Sequence, residues 1–168
     1  LHIVEMLIAH PSCDVNDLSG TDASGYSHEY DIMPSPLHLA IRKNYKKNIA
    51  VVRTLLAHPR IDPNGYADTS SSMGYRTLFS LAVQCDELEI AYLLAEHPAF
   101  NFELSFADVL FWIIAEGFRK ADEKWMQAAH FLLRSGKIDV NGEADPGTFL
   151  FCAADGAHVE LVQTLLEH

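Results

Sequence analysis

The feature that most constrains this chain is a segment that recurs five times along it. The clearest copy, residues 51–64, reads VVRTLLAHPRIDPN: an apolar stretch with helical spacing, a stop, and an extended tail. The five copies superpose without gaps and lie at residues 3–16, 51–64, 90–103, 128–141 and 161–168, the last one shorter. They recur every 33 to 48 residues. Such a period predicts a stack of similar units, each packed against its neighbours.

A second block precedes four of the five copies. It reads SPLHLA at 35–40, TLFSLA at 77–82, VLFWII at 109–114 and TFLFCA at 148–153. The first of these resembles the T-P-L-H-x-A signature of ankyrin repeats. In that family this block opens an inner helix, and a V-V-x-L-L-type segment forms the outer helix. The resemblance covers nearly the whole chain, as four full units and a leading half unit.

The resemblance implies an all-α ankyrin-type solenoid of stacked helix-turn-helix repeats with finger loops. We expect one array over residues 1–168. Its units are predicted as an outer helix at 1–16, then 35–64, 77–103, 105–141 and 148–168. Because the first residue already lies inside an outer helix, we expect the chain to be a fragment. Two interpretations stay open for Glu167 and His168: native repeat residues, or the start of a histidine tag.

Two connections, residues 17–34 and 65–76, are longer than the family pattern and rich in Ser and Gly, which predicts two inserted fingers. They contain five larger side chains, Tyr26, Tyr30, Tyr66, Met73 and Tyr75. Tyrosine offers a large contact area with few rotatable bonds and a polar tip, which suits recognition. The alternative is that one or two of the rings pack back onto the stack and only hold the loops in place.

Helix starts are marked by capping residues. Ser35, followed by a proline, and Thr77 and Thr148 are typical N-cap residues. The fourth unit departs from the pattern, and for it we expect Ser105 with Asp108 to form a capping box. The helices are predicted to pack through a row of leucines at 55, 56, 93, 94, 132 and 133.

Composition excludes several function classes. The net charge of −11 argues against general nucleic-acid binding, since nothing offsets phosphate repulsion. No apolar run approaches the roughly 20 residues of a membrane helix, and no signal peptide is evident. The three cysteines are far apart, so we expect reduced thiols in a cytoplasmic protein, or one delivered into a host cytosol.

Histidines are the main candidates for chemistry, and we interpret them as structural. His10, His58 and His97 follow outer helices, where they are expected to cap free carbonyls rather than bind a metal. By the resemblance, His38 hydrogen-bonds the backbone of a neighbouring turn. Because no phosphate loop, nucleophile elbow or H-E-x-x-H is present, we expect no catalysis and no cofactor.

A basic cluster at 42–47 and another at 119–124 stand out in this acidic chain. They are interpreted as solvated charges that pair with Asp86, Glu87 or Glu89 of the repeat between them, rather than as a nucleic-acid or lipid patch. We therefore expect a cation from 42–47 to approach these carboxylates.

The resemblance implies a protein–protein interaction module, expected to be a monomer with a protein partner. Contact positions fall two and three residues after each block, at the inner-helix ends. Candidate partner-binding residues are Tyr26, His28, Tyr30, Arg42, Lys43, Tyr66, Met73, Tyr75, Gln84, Cys85, Glu116 and Asp155. Alternatives are a targeting or autoinhibitory array of a larger enzyme, a host-directed effector, or a structural spacer.

Overall fold

The computed structural model describes residues 1–17, 35–42, 49–67, 76–115, 123–144 and 147–167. This part of the chain is mostly helical, with two short strand pairs. Its helices are α1 His2–Ile8, α2 Pro36–Ile41, α3 Ile49–Leu56, α4 Leu78–Gln84, α5 Leu88–Ala95, α6 Phe102–Ala115, α7 Glu123–Arg134, α8 Phe149–Asp155 and α9 Val159–Glu167. Its strands are β1 Tyr66–Ala67, β2 Arg76–Thr77, β3 Glu143–Ala144 and β4 Gly147–Thr148.

The helices pack in pairs, and the pairs stack within two compact units, 1–100 and 101–168. Each pair joins a helix of the second block, which we call inner, to an outer helix from the recurring segment: α2 with α3, α4 with α5, α6 with α7, and α8 with α9. In the first unit, inner helix α2 packs on α4, and the outer helices pack in the order α1, α3, α5. In the second unit α6 packs on α8, and α7 on α9.

Three inner helices begin where their capping residues predicted. The side chains of Ser35, Thr77 and Thr148 accept hydrogen bonds from the backbone N–H three residues on, at 3.2 Å in each case. Each bond satisfies an amide that the first helical turn leaves without a partner. The predicted caps are therefore confirmed at all three positions.

Inner helices α4 and α8 end in the same way. Asp86 and Ala157, one residue past the helix C-cap, have φ of 65° and 54°. The amide of the next residue donates to a carbonyl five residues back, from Glu87 to Ala82 and from His158 to Ala153. This is the Schellman arrangement, which turns the chain sharply into the outer helix. After α7 the left-handed position holds Gly136, with φ of 64°, a conformation that glycine adopts without steric cost.

The core of the first unit is built from leucines and aromatic rings. Leu94 is fully buried and Leu55 nearly so. Phe79 is fully buried and lies 5.6 Å from Phe100, ring centre to ring centre. All residues of α4 from Leu78 to Val83 are buried, so that helix exposes only its C-terminal end.

The core of the second unit contains more aromatic side chains. Trp112 and Trp125 are stacked with ring centres 6.0 Å apart and 15° between the planes. Phe106 meets Phe149 edge to face at 4.8 Å. Leu132 and Leu133 are also buried. The predicted leucine row therefore lies in the core at 55, 94, 132 and 133, and beside it at 56 and 93, which are half-exposed.

The start of α6 corrects one prediction. The helix begins at Phe102, and the amide of Leu104 donates to Asn101 Oδ1 at 3.0 Å, so Asn101 is the N-cap. Ser105 lies inside the helix and is buried. The predicted capping box at Ser105 and Asp108 is wrong, because α6 begins three residues before Ser105 and Asn101 caps it there.

Two short antiparallel strand pairs that the sequence did not indicate lead into inner helices. In the first unit, Tyr66 pairs with Thr77 and Ala67 with Arg76. In the second unit, β3 pairs with β4 in the same way. The second strand of each pair runs directly into the inner helix that follows it, α4 or α8.

We predict that Leu94→Ala lowers the free energy of unfolding by about 2–5 kcal/mol, because it leaves a cavity in a fully buried site. Leu93→Ala, in the same helix but half-exposed, is the matched control and should cost less than about 2 kcal/mol. Urea unfolding measures both. Equal losses for the two variants would contradict the assignment of Leu94 to the core.

Candidate interaction surface

Four candidate contact residues lie at the C-terminal ends of inner helices. Arg42 is the C-cap of α2, and Gln84 and Cys85 are the last residue and C-cap of α4. Asp155 is the last residue of α8 in the second unit. Arg42, Gln84 and Asp155 are exposed, and Cys85 is half-buried. Because α2 and α4 pack together, the first unit brings the helix ends that carry Arg42, Gln84 and Cys85 to neighbouring positions.

The remaining candidates fall mostly outside the described residues. Tyr66 contributes its backbone to the finger stem, and its side chain is not described. Those outside the described ranges are Tyr26, His28, Tyr30, Lys43, Met73, Tyr75 and Glu116.

Helix α2 ends at Ile41, and Arg42 is its C-cap. Arg42 has φ −58° and ψ 132°, an extended conformation that cannot continue a helix. The position of the Arg42 side chain is therefore set by the extended residue that ends the helix, rather than by a further helical turn.

The histidines that follow the outer helices act as acceptors, which corrects their predicted role. Nδ1 of His10, His58 and His97 each accepts the backbone N–H two residues on, at 3.2 Å. Ser135 occupies the same position in the fourth copy, and its Oγ accepts from Lys137 N at 3.2 Å. We expected the imidazoles to donate to free carbonyls at the helix ends. In the fourth copy it is the Ser135 hydroxyl that makes such a bond, since it donates to Leu132 O at 2.6 Å. An imidazole that accepts at Nδ1 has no hydrogen there and cannot donate from that atom.

Asparagines at the ends of the first two tails link neighbouring copies in the first unit. Asn16 donates from Nδ2 to Arg60 O at 2.7 Å and accepts from Asp62 N at 2.9 Å. Asn64 donates to Ala99 O at 2.7 Å. The amide side chain therefore spans from one turn to the next, using both its donor and its acceptor at Asn16.

The third copy breaks this series of links. Glu103 stands where the other copies have Asn16 and Asn64, and it lies in the first turn of α6. In this part of the second unit, Lys137 Nζ lies 4.5 Å from the centre of the Phe102 ring. A cation–π contact thus connects the third and fourth tails.

Equivalent contacts between a basic side chain and a glutamate join outer helices in each unit, and neither was predicted. Arg53 Nη2 lies 3.7 Å from Glu89 Oε1 in the first unit. His130 Nε2 lies 3.7 Å from Glu160 Oε1 in the second. Superposition of the copies aligns Arg53 with His130 and Glu89 with Glu160. The described ion pair of Glu89 is with Arg53, because outer helices α3 and α5 pack directly. Lys43, Lys46 and Lys47 lie outside the described residues, so the expected approach of a cation from 42–47 to these carboxylates stays a prediction.

His158 forms a second link within the second unit. Its Nε2 lies 3.3 Å from Ile113 O, a carbonyl near the end of α6. Since a carbonyl can only accept, this ring nitrogen carries the hydrogen. The sequence offered no signal for His130 or His158, since neither belongs to the recurring His58 position.

His38 is buried in the first unit, and its Nδ1 has no hydrogen-bond partner among the described residues. Burial lowers the pKa of His38 from 6.5 to about 4, and the charge of Arg42 acts in the same direction. The folded first unit therefore requires a neutral imidazole at this position. The backbone hydrogen bond expected from the resemblance is not among the described contacts.

The described residues contain no group of three or more His, Cys, Asp or Glu arranged to hold a metal. Cys13, Cys85 and Cys152 are free thiols, and Cys152 is buried. In the described ranges, no helix is long and apolar enough to cross a membrane.

Exposed apolar side chains occur near each end of the chain, and none of them is among the contact residues predicted from the sequence. They are Leu1, Ile3, Met6 and Leu7 in the first unit, and Leu150, Phe151, Val159 and Leu166 in the second. Phe151 is 53% exposed, whereas Ser80, at the equivalent position in α4, is fully buried. Within the first unit, His38, at the equivalent position of α2, is buried, and α2 packs on α4.

Residues 35–68 match the family model for the ankyrin repeat. This segment contains the α2–α3 pair and strand β1. No curated protein and no solved structure matches the chain. The match supports the ankyrin-repeat family, whose repeats are in general protein–protein interaction modules and in general not catalytic. The number of units, the two finger insertions and the single continuous array remain predictions.

We predict that His58→Ala destabilises the chain by about 0.5–1.5 kcal/mol, because it removes the acceptor for Arg60 N–H. His58→Ser should recover most of that loss, since Ser135 makes the equivalent bond in the fourth copy. Urea unfolding at neutral pH compares the two variants. A serine variant as unstable as the alanine variant would refute the acceptor role.

We predict that His38 makes stability fall with acid. Above pH 6.5 both states carry a neutral imidazole, and between 6.5 and about 4 only the unfolded chain binds the proton. The loss should reach roughly 3 kcal/mol at pH 4. His38→Ser, the residue that Ser80 provides at the equivalent position, should remove this contribution in a pH series of urea unfolding curves. An unchanged slope in the variant would exclude His38 as its source.

Proposed function

We propose that the chain is a protein–protein interaction module that recognises a partner protein through its finger loops and the exposed ends of its inner helices. The observation that carries this proposal is the division of α2 and α4 into buried and exposed parts. Both helices bury most of their apolar residues and end in exposed polar side chains, Arg42 and Gln84. Contact residues at such ends can differ between repeats without disturbing the core.

The finger at 65–76 supports the same proposal. Its stem is fixed by pairing of Tyr66 with Thr77, and Leu78 N donates to Gly65 O at 3.1 Å where the helix begins. A loop held at a rigid base is a common way to present binding residues. In this proposal Tyr66 and the tyrosine-rich 17–34 segment supply large contact area, and the inner-helix ends supply charge and polar groups.

Recognition in this proposal needs no chemistry by the module itself. The described histidines are engaged in intramolecular contacts or buried, and the three cysteines are free thiols. Partner binding would therefore rest on a surface that is largely formed before the partner arrives.

We expect the double substitution Tyr26→Ala with Tyr66→Ala to abolish partner capture while leaving the melting temperature nearly unchanged. The immobilised chain would be used to capture cellular proteins, and a partner is defined as a protein retained by the wild type but not by the bare support. The double variant should reduce the retention of such proteins at least tenfold. Glu96→Ala, at an exposed position after outer helix α5, is the matched control and should retain the same proteins.

A second double variant, Arg42→Ala with Gln84→Ala, tests the inner-helix ends separately from the fingers. It should weaken capture of the same proteins without loss of stability. If instead the substitution of Tyr26 and Tyr66 lowers the free energy of unfolding by more than about 2 kcal/mol, the two rings pack onto the helices and hold the loops in place. Retention of every partner by both double variants would place the binding surface elsewhere.

A further inference from the structure

The α8–α9 pair of the second unit presents an apolar surface to solvent. On α8, three exposed residues share one side of the helix at the spacing i, i+1 and i+4: Leu150, Phe151 and Ala154. On α9, three apolar residues share one side at the spacing i, i+3 and i+7: Val159, Val162 and Leu166. All six are exposed except Val162, which is half-buried. We call these six residues the α8–α9 face.

The same positions are buried where other helices pack beside them. Helices α8 and α9 pack on α6 and α7, and on that pair the residues equivalent to Phe151, Val162 and Leu166 are buried: Trp112, Ala129 and Leu133. In the first unit α4 packs on α2, and the residues of α2 equivalent to the α8 part of the face are buried as well: Leu37, His38 and Ile41. The α8–α9 face is thus an apolar surface of the kind that this chain covers with further helices.

The charges around the face all have one sign. Residues 138–168 contain six carboxylates and no Lys or Arg. Asp155, the last residue of α8, is exposed. Glu160 and Glu167 are exposed on α9, and because they are seven residues apart they lie on one side of that helix, next to its apolar stripe. An element that covers the face therefore meets negative charge on both helices.

A second copy of the chain does not complement this surface. Two α8–α9 faces brought together would place carboxylates against carboxylates. The exposed apolar residues of α1 lie within residues 1–17, which contain three carboxylates and no Lys or Arg. With a net charge of −11, two copies also repel each other as whole molecules.

The contacts between outer helices show what a further pair of the same kind would bring. Arg53 of α3 faces Glu89 of α5, and His130 of α7 faces Glu160 of α9. On α9 the position equivalent to Arg53 and His130 holds Gln163, an exposed neutral side chain. A pair that brought a glutamate to this position would add negative charge without meeting a basic side chain. The face therefore suits an element of the opposite charge.

We propose that the α8–α9 face is a docking site for a cationic amphipathic helix of a partner protein. The apolar stripe of that helix, with side chains at i, i+3, i+4 and i+7, packs on Phe151 and Leu166. Lys or Arg residues beside the stripe approach Asp155 on one helix and Glu167 on the other. Apolar contact supplies the affinity, and the charges select a basic helix over an acidic one.

This docking site does not rest on the proposed function. The residues substituted to test that function all lie within residues 1–100: Tyr26, Arg42, Tyr66 and Gln84. The residues substituted here to test the α8–α9 face lie on α8 and α9 of the second unit. Failure of either proposal therefore leaves the other standing.

The probe is a synthetic peptide of about 18 residues, long enough to form a helix, with Leu along one stripe and Lys at the other positions. A matched peptide has Glu in place of every Lys. Each carries a fluorophore, and fluorescence anisotropy follows its binding to the full chain near neutral pH. The Lys peptide should bind at least tenfold more tightly than the Glu peptide. Its affinity should fall as salt rises from about 0.05 M to 0.5 M, because salt screens exposed charges.

Three variants locate the binding. Phe151→Ser introduces the residue that Ser80 provides at the equivalent position, and it should weaken binding of the Lys peptide at least tenfold. Asp155→Asn with Glu167→Gln should weaken it too and reduce its salt dependence. Leu7→Ser, on the exposed apolar side of α1, is the matched control and should bind the Lys peptide as the wild type does.

Several results would overturn the proposal. They are no binding of the Lys peptide by the wild type, equal binding of the two peptides, full affinity in Phe151→Ser, and an equal loss in Leu7→Ser. Analytical ultracentrifugation tests for a second copy on the face, and a wild-type dimer that Phe151→Ser converts to a monomer would also overturn it. Circular dichroism checks that each variant folds. If Phe151→Ser does not fold, Leu166→Gln, at a residue that is 68% exposed, makes the same test from α9.

Discussion

The structure depends on apolar faces that one helix pair cannot bury by itself. Leu94 and Phe79 are fully buried because α4 and α5 pack on each other and on the preceding pair. On α8, Phe151 is 53% exposed, whereas Ser80, at the equivalent position of α4, is fully buried. Stability in such an architecture therefore belongs to the contacts between pairs as much as to the pairs themselves. The polar links made by Asn16, Arg53 and His130 all lie at these contacts.

Much of the fold could be predicted because its determinants are local or periodic. The caps at Ser35, Thr77 and Thr148 act within three residues, so the sequence alone placed them correctly. The buried leucines follow from superposition of the copies, which needs no knowledge of tertiary structure. The same superposition identified inner-helix ends such as Gln84 as candidate contact positions, and the structure places it at the exposed end of α4.

The features that escaped prediction are those in which one residue has two competing local uses, or in which the partner is distant in sequence. Asn101 aligns with Asp62, which accepts the N–H of Asn64 in a turn, yet it caps α6 instead. An imidazole near a helix end can accept an N–H or donate to a carbonyl, and only the backbone geometry at His58 decides between them. The contact of His130 with Glu160 spans 30 residues, so no local pattern indicates it.

The asparagine links contact only main-chain atoms of the next copy, namely Arg60 O, Asp62 N and Ala99 O. Every residue type has a backbone carbonyl, and every type except proline has a backbone N–H, so these links place almost no restriction on the side chains they join. Residues 60 and 99 differ as Arg and Ala, yet both accept the same amide hydrogen bond at 2.7 Å. The tails of the first unit are thereby free to diversify their outward-facing side chains during evolution while neighbouring copies stay in register.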